Sequence, residues 1–165
     1  MNAARPTANI SKAGLLALIV PMALYGGALI SQYVFGLHPC EMCYWQRWPH
    51  QAAIVLAILA LILGKNLGVA RLLILLAAIA IAISGLIGIF HAGVEYGFWE
   101  GLTSCSSGQT GPISLDDLMA APITRCDVPQ WTLAGISLAG FNAIFSLLGA
   151  GLILRYWAKG GKLAA

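Results

Sequence analysis

The sequence predicts an all-α membrane protein: a four-transmembrane-helix bundle that forms a single domain over residues 1–165. Of the 165 residues, 59% are hydrophobic and only 9% are charged, whereas soluble domains carry roughly 25% charged residues. Four segments contain no Asp, Glu, Lys or Arg over a length that can cross a bilayer, about 17–25 residues. The uneven placement of the charges between these segments then predicts how the helices are oriented.

The predicted spans are residues 13–35, 48–64, 72–92 and 132–154. The first span could be a cleaved signal peptide, but its apolar run exceeds the usual 7–15 residues and no small-x-small cleavage site is evident. We therefore expect it to be retained. Residues 65–71 form a short connection, which predicts that the second and third spans are antiparallel neighbours. Small residues in the third span favour close helix packing: Ser84, Gly85, Gly88 and Ala92.

The basic and acidic residues lie on opposite sides of these spans. Seven of the nine basic residues flank the spans on one side: Arg5, Lys12, Lys65, Arg71, Arg155, Lys159 and Lys162. All six acids lie on the other side: Glu41, Glu95, Glu100, Asp116, Asp117 and Asp127. Because Lys and Arg mark the cytoplasmic side, both termini are predicted to be cytoplasmic. Residues 36–47 and 93–131 then form two outward, periplasmic loops. The net charge of +3 is a topology signal and does not indicate nucleic-acid binding.

All four cysteines fall in the two outer loops. Cys40 and Cys43 form a CxxC pair just before the second span, and Cys105 and Cys126 lie in the long second loop. Four cysteines allow three pairings, of which sequence proximity favours Cys40–Cys43 and Cys105–Cys126. Within the same loop, residues 113–119 predict a short amphipathic helix on the membrane surface.

The CxxC pair predicts redox chemistry. A Cys40–Cys43 disulfide closes too small a ring to stabilise the fold much, whereas a Cys105–Cys126 disulfide could stabilise it by about 3 kcal/mol. Thiols in CxxC pairs often have depressed pKa values. A helix that begins near Cys43, with Arg47 four residues later on the same face, favours a thiolate at Cys43. Arg47 could instead snorkel to lipid headgroups, but a charge at the outer edge of a span favours a functional role.

Metal ligation and haem attachment fit the cysteines less well than redox chemistry. The spacing of Cys105 and Cys126 is unlike the tight spacing of zinc motifs, and Tyr44 follows Cys43 where haem attachment needs a histidine. We therefore predict no metal site. His91, near the outer end of the third span, could approach Cys43 and Arg47, although interfacial packing is an equally good interpretation. Four of the outer acids predict a solvated face: Glu95, Glu100, Asp116 and Asp117.

These features together resemble the DsbB family of disulfide-bond-formation membrane proteins. The resemblance consists of four spans, the CxxC before the second span, Arg47 four residues after its second cysteine, and a cysteine pair in the second outer loop. The Arg-Cys-Asp-x-Pro-x-Trp run from Arg125 to Trp131 is also similar. The resemblance covers almost the whole chain.

The resemblance implies a protein-dithiol:quinone oxidoreductase of the bacterial inner membrane. A periplasmic DsbA-like thioredoxin-fold partner would attack the Cys105–Cys126 disulfide and bind Cys105. Cys126 would then attack Cys40 and release Cys43 beside a membrane quinone, with ubiquinone ahead of menaquinone. Arg47 would assist electron transfer, and His91 is the further candidate for quinone contact. From other classes, a membrane scaffold with structural disulfides and a metal-binding membrane protein are the alternatives.

Overall fold

A computed structural model of the chain describes residues 4–102 and 124–161. The predicted surface helix at 113–119 and Cys105 lie outside these residues. The elements are α1 (Ala4–Tyr33), α2 (Glu41–Ile62), α3 (Leu67–Glu95), β1 (Thr132–Leu133), β2 (Ile136–Ser137) and α4 (Leu138–Gly161). The described part of the chain is therefore helical, apart from one hairpin whose two strands are two residues long.

Three of these helices are long and apolar enough to cross a membrane, over Ala8–Tyr33, Leu67–Glu95 and Leu138–Gly160. Helix α2 is 22 residues long but carries Glu41, Gln46, Arg47 and His50 in its first half. Those polar residues set it apart from the other three helices. The chain is thus an all-helical protein with membrane-competent helices, while the fourth span and the orientation remain predictions.

The helices pack as a ring in which α3 lies between α2 and α4, and α1 contacts the same two helices from the other side. The interior is built largely from alanine, which lets the backbones approach: Ala13, Ala17, Ala53, Ala57, Ala77, Ala78 and Ala150 are buried. Large aliphatic side chains such as Leu15, Ile58 and Leu148 point outward. Small residues inside the bundle and large aliphatic residues on its surface are typical of helices that associate in lipid.

The predicted close approach of α3 is confirmed at its contact with α4. A Cβ built on Gly88 would lie 2.9 Å from the Ala139 backbone oxygen, and one on Gly85 would lie 2.9 Å from Leu147. At the other end of α4, Trp157 Nε1 donates to the Arg71 carbonyl at 2.9 Å, and the Arg71 guanidinium lies over the Trp157 ring. The helix pair α3–α4 is therefore closely packed along its length.

Helix α4 begins at Leu138, six residues after the predicted start of the fourth span at Thr132. The intervening residues form the hairpin, with Thr132 paired to Ser137 and Leu133 to Ile136. Its two-residue turn, Ala134-Gly135, has positive φ at both positions, as tight hairpin turns require.

Contacts with the end of α3 hold this hairpin. The Tyr96 hydroxyl donates to the Gly135 carbonyl at 2.7 Å and accepts from Ser137 N–H at 2.8 Å. Ser137 Oγ then accepts the Gly140 N–H at 3.1 Å, which is the geometry of a helix N-cap. The hairpin therefore sets where α4 starts and brings the preceding segment, which contains Cys126, against the end of α3.

Candidate functional site: a buried thiol pair beside a polar cavity

Cys40 and Cys43 stand at the start of α2. Cys40 is the N-cap residue, and its Sγ accepts the Cys43 N–H at 3.3 Å. Both cysteines are free thiols, with their sulfurs 3.0 Å apart. The helix begins at Glu41 and not at Cys43, so the helix-terminal N–H group serves the sulfur of Cys40. This differs from the expectation that the helix start acts directly on Cys43.

The two sulfurs form a hydrogen bond in which Cys40 is the donor and Cys43 the acceptor. The Cys40 thiol donates to Cys43 Sγ, and this bond is the main reason that the pKa of Cys43 is lowered, with Arg47 adding a smaller lowering against burial and Glu95. The same bond, together with burial, raises the pKa of Cys40. Of the two, Cys43 is therefore the thiol that loses its proton more readily, and Cys40 is the one that keeps it. The predicted effect of Arg47 has the right sign but is not the leading cause.

Arg47 is held against α1. Its Nη1 donates to Gln32 Oε1 at 2.6 Å and its Nη2 donates to the Ala28 carbonyl at 3.2 Å. The guanidinium also lies over the Tyr44 ring, 5.4 Å from its centroid. A half-buried arginine fixed by two acceptors on a neighbouring helix is positioned, in contrast to a side chain that extends freely to headgroups.

His91 lies directly behind the thiol pair. It is 2% exposed, and its Nε2 is 3.5 Å from Cys40 Sγ and 3.8 Å from Glu95 Oε1. Sequence reasoning assigned Glu95 to a solvated face, but its side chain is only 8% exposed. The position of Glu95 four residues after His91 was the available signal, because i and i+4 share a helix face.

Cys126, in the second loop, packs beside Cys40. It is fully buried and belongs to one apolar cluster with Cys40, Met42 and Val94. A hydrogen bond links the His91 ring to the backbone of Cys126. Cys126 is disulfide-bonded, and since Cys40 and Cys43 are free thiols, neither of them is its partner. Of the predicted site residues, only Cys105 lies outside the described part of the chain.

A cavity of about 310 Å³ opens beside these residues. Its lining includes Cys40, Cys43, Arg47, His50, His91 and Phe145. The volume falls at the lower end of the range for small-molecule sites, roughly 300–1,000 Å³. Aromatic and aliphatic walls with a few polar groups at one side suit a flat, mostly apolar molecule with polar edges.

Sequence reasoning missed a polar network that runs inward from His91. Gln46 Nε2 lies 2.8 Å from His91 Nδ1, and Gln46 Oε1 accepts from Asn142 Nδ2 at 2.8 Å. Asn142 Oδ1 is 2.9 Å from His50 Nε2, which is also 2.9 Å from Ser84 Oγ. The signal was the presence of Gln, Asn and His in helices that are otherwise apolar, since buried polar residues there need a reason.

Comparison with known proteins agrees with this geometry. The family model described as "Disulfide bond formation protein DsbB" matches residues 11–155. The chain is 31% identical to "Disulfide bond formation protein B 1" of Pseudomonas entomophila over 144 residues, 79% of each chain. The chain belongs to the DsbB family.

Other relatives extend this similarity. "Disulfide bond formation protein B" of Chromohalobacter salexigens is 27% identical over 169 residues, covering 89% of this chain and 94% of that protein. "Uncharacterized protein RP370" of Rickettsia prowazekii is 29% identical over 151 residues, 86% of each chain. No solved structure matches the chain. The family membership and the membrane-competent helices together make this a multi-pass membrane protein of disulfide bond formation.

Proposed function

We propose that this DsbB-family protein oxidises a periplasmic DsbA-like dithiol protein and passes the electrons to a membrane quinone, from the bacterial inner membrane. The observation that carries the proposal is the Cys40–Cys43 pair, with its sulfurs 3.0 Å apart, at the wall of an apolar cavity that Arg47 also lines. A thiolate is the reactive form of cysteine in both electron donation and thiol–disulfide exchange.

The relay moves two electrons in three exchanges. The partner's dithiol attacks the proposed Cys105–Cys126 disulfide and forms a mixed disulfide with Cys105. Its second thiol then closes the partner's disulfide and leaves Cys105 and Cys126 reduced. Cys126 and Cys105 next reduce a Cys40–Cys43 disulfide through a transient Cys126–Cys40 bond. Finally, two electrons and two protons leave Cys40 and Cys43, and their disulfide forms again as quinone becomes hydroquinone.

The burial of Cys126 beside Cys40 supports the transfer between the two cysteine pairs. Both sulfurs belong to one apolar cluster, and Gln130 Nε2 donates to the His38 carbonyl at 2.6 Å, which ties the second loop to the first. The two cysteines are therefore already in one cluster from which an exchange between the loops can start.

The residues around the cavity fit a quinone. Arg47 can donate to an oxygen at one edge of the ring, and Phe141 and Phe145 lie along the wall where a flat ring can stack. A partner that is itself strongly oxidising, with a potential near −120 mV for DsbA, gives up electrons only to an acceptor of higher potential, and a quinone can fill that role. A lipid-soluble acceptor reaches such a cavity from the bilayer.

The test is anaerobic mixing of purified protein with a reduced thioredoxin-fold dithiol partner and a soluble quinone, with quinone absorbance and partner thiols followed together. We expect equimolar loss of quinone and partner dithiol, abolished in Cys43→Ser. Partner oxidation without quinone loss would point to another acceptor. No reaction with any such dithiol would remove the proposal.

A metal-binding function is the second candidate, because the ligand atoms of Cys40, Cys43 and His91 all lie within 4.8 Å of one another. Two thiolates and an imidazole suit a thiophilic ion such as Zn²⁺. Metal analysis of protein purified without chelator separates the two functions. One ion per chain in wild type and none in Cys43→Ser would favour the metal site.

A further inference from the structure

Two cations at the far end of the bundle from the thiol pair each lie over an aromatic ring of α4. The Arg71 guanidinium is 4.7 Å from the centroid of the Trp157 ring, and Lys12 Nζ is 5.9 Å from the centroid of the Tyr156 ring. Both distances fall within the range of cation–π attraction, about 6 Å. Lys12 belongs to α1 and Arg71 to α3, so three helices contribute to one group of residues. We call these four residues the basic–aromatic cluster.

Two contacts with Trp157 hold Arg71 in place. Trp157 Nε1 donates to the Arg71 carbonyl at 2.9 Å, which fixes the position of the indole next to the guanidinium. Stacking on a ring uses the face of a guanidinium and leaves the N–H groups along its edge free to donate. Arg71 is partly buried, and within residues 4–102 and 124–161 no hydrogen bond or ion pair involves its guanidinium. Arg71 therefore presents a fixed set of unused donors.

The helix segments that carry the two cations meet inside the bundle. A Cβ built on Gly14, two residues after Lys12, would lie 3.4 Å from Cδ1 of Ile74, three residues after Arg71. The two aromatic residues of the cluster are neighbours on α4 and pack against the same core. Both cations therefore lie within about one helical turn of a common contact, so that a single headgroup can reach both.

No described carboxylate neutralises the basic–aromatic cluster. In the described part of the chain, the acids lie at the end of the bundle that holds the thiol pair: Glu41, Glu95, Glu100 and Asp127. A cation attracts an anion more strongly where protein and lipid lower the local dielectric constant than it does in bulk water. The cluster is thus a cationic site whose counter-charge is not supplied by the described residues.

The position of Arg71 along α3 indicates which anions it meets. His91 follows Arg71 by 20 residues on α3, which is about 30 Å at 1.5 Å per residue and equals the thickness of the hydrocarbon core of a bilayer. Because α3 is long and apolar enough to cross a membrane, Arg71 lies at the headgroup level opposite the thiol pair. Trp157 suits the same level, where tryptophan is enriched. The anions at that depth are phospholipid phosphates.

We propose that the basic–aromatic cluster binds the phosphate group of an anionic phospholipid. Arg71 donates to two phosphate oxygens with its fork of N–H groups, and Lys12 supplies a second positive charge. Basic pockets between membrane helices bind anionic headgroups in this way. The acyl chains follow the outward aliphatic side chains of the bundle, an attachment that free phosphate lacks. This binding uses none of the redox chemistry of the thiol pair, so either proposal can fail without the other.

The decisive variant is Arg71→Gln, which removes the charge and the fork of donors. The matched control is Arg155→Gln, which removes the same charge from an exposed arginine at the same end of the bundle. Native mass spectrometry of the purified full chain in detergent, titrated with phosphatidylglycerol, counts the bound lipids and gives the dissociation constant of the first one.

We expect Arg71→Gln to weaken binding of the first phosphatidylglycerol about 10–100-fold, the range for hydrogen bonds to a charged group. Arg155→Gln should weaken it less than about fivefold, as for an exposed ion pair. A loss in Arg71→Gln no larger than the loss in Arg155→Gln would mean a diffuse positive surface and would overturn the site.

A measurement on the unaltered chain keeps the inference testable if Arg71→Gln does not fold. Phosphatidylcholine with the same acyl chains keeps the phosphate, but its choline cancels the negative charge of the headgroup. We expect one phosphatidylglycerol per chain to bind more tightly than phosphatidylcholine and to resist displacement by inorganic phosphate at millimolar concentration. Equal affinity for the two lipids contradicts the proposal, and displacement by inorganic phosphate would assign the cluster to free phosphate instead.

Discussion

Gln46 Nε2 lies 2.8 Å from His91 Nδ1, and because this amide nitrogen also donates to the Met42 carbonyl, His91 Nδ1 is the acceptor of the pair. The hydrogen of the neutral His91 ring is therefore on Nε2, the atom that faces Cys40 Sγ. One glutamine thus orients a histidine toward the thiol pair and, through Asn142, connects it to His50.

Gln46→Leu should destabilise the protein by about 1–3 kcal/mol, because it leaves His91 Nδ1 and one Asn142 N–H unpaired in the interior. Unfolding in mixed micelles of increasing denaturing detergent measures the change. Gln51→Leu removes a hydrogen bond of the same kind at an exposed site, from Gln51 Nε2 to the Tyr25 hydroxyl at 2.8 Å, and should cost less than Gln46→Leu because water can replace the lost partner. Equal stability of the two variants would argue against the network.

Cys43 of the reduced protein should react with iodoacetamide at lower pH than an ordinary thiol. The S–H of Cys40 lowers the pKa of Cys43, so the thiolate, the reactive form, is present below the usual range and is lost only when pH falls below the lowered pKa. Cys40 should stay unreactive over the same range, since its pKa is raised. Mass spectrometry of the two alkylation sites follows both rates.

The same experiment on Cys40→Ala isolates the cause. Removal of the donor leaves burial and Glu95 opposed only by the smaller effect of Arg47, so the alkylation profile of Cys43 should move to higher pH. An unchanged profile would mean that Arg47, and not Cys40, holds the thiolate.

Arg47→Ala should lower kcat/KM for quinone about tenfold or more while leaving disulfide exchange with the partner much less affected. Loss of a charge-assisted hydrogen bond costs about 1.5–3 kcal/mol, and Arg47 lines the cavity, whereas Cys126 is not among its lining residues. Arg47→Lys should not restore the rate, because a single ammonium cannot serve Gln32 and Ala28 with the fork geometry of arginine. Separate assays of the two half-reactions measure this. Equal losses in both would remove the separation of roles.

Gly88→Ala should destabilise the bundle by about 1–3 kcal/mol, the usual cost of overpacking. The new Cβ would meet backbone atoms of α4, at 2.9 Å from the Ala139 oxygen and 3.0 Å from the Ala143 nitrogen, so the two helices must separate. Gly26→Ala is the matched control, because nothing lies within 4 Å of its Cβ position, and it should be neutral or slightly stabilising. Thermal unfolding in detergent compares the two.

Much of the architecture follows from local sequence properties. Long runs without charge determine helices α1, α3 and α4, since a backbone in lipid must satisfy its own hydrogen bonds. The CxxC pair and Arg47 could also be identified, because their spacing on one helix turn is a local property. Gly85 and Gly88 predicted close packing of α3 against a neighbouring helix, because the spacing of small residues along one helix is also a local property.

The start of α4 depended on a longer-range contact. The apolar run begins at Thr132, but Tyr96 holds residues 132–137 as a hairpin through two hydrogen bonds, and the helix begins only after Ser137. No periodicity in the run itself marks that boundary.

By itself, the sequence determined the helical segments, the thiol pair and the family resemblance. Only the tertiary structure decided that Glu95 is buried, that Cys126 packs beside Cys40, and that Gln46, Asn142 and His50 form one network. The partners in that network are 45 to 96 positions apart in the chain. Their contacts depend on the rotation and register of α2, α3 and α4 against one another, which side-chain packing in the assembled bundle sets.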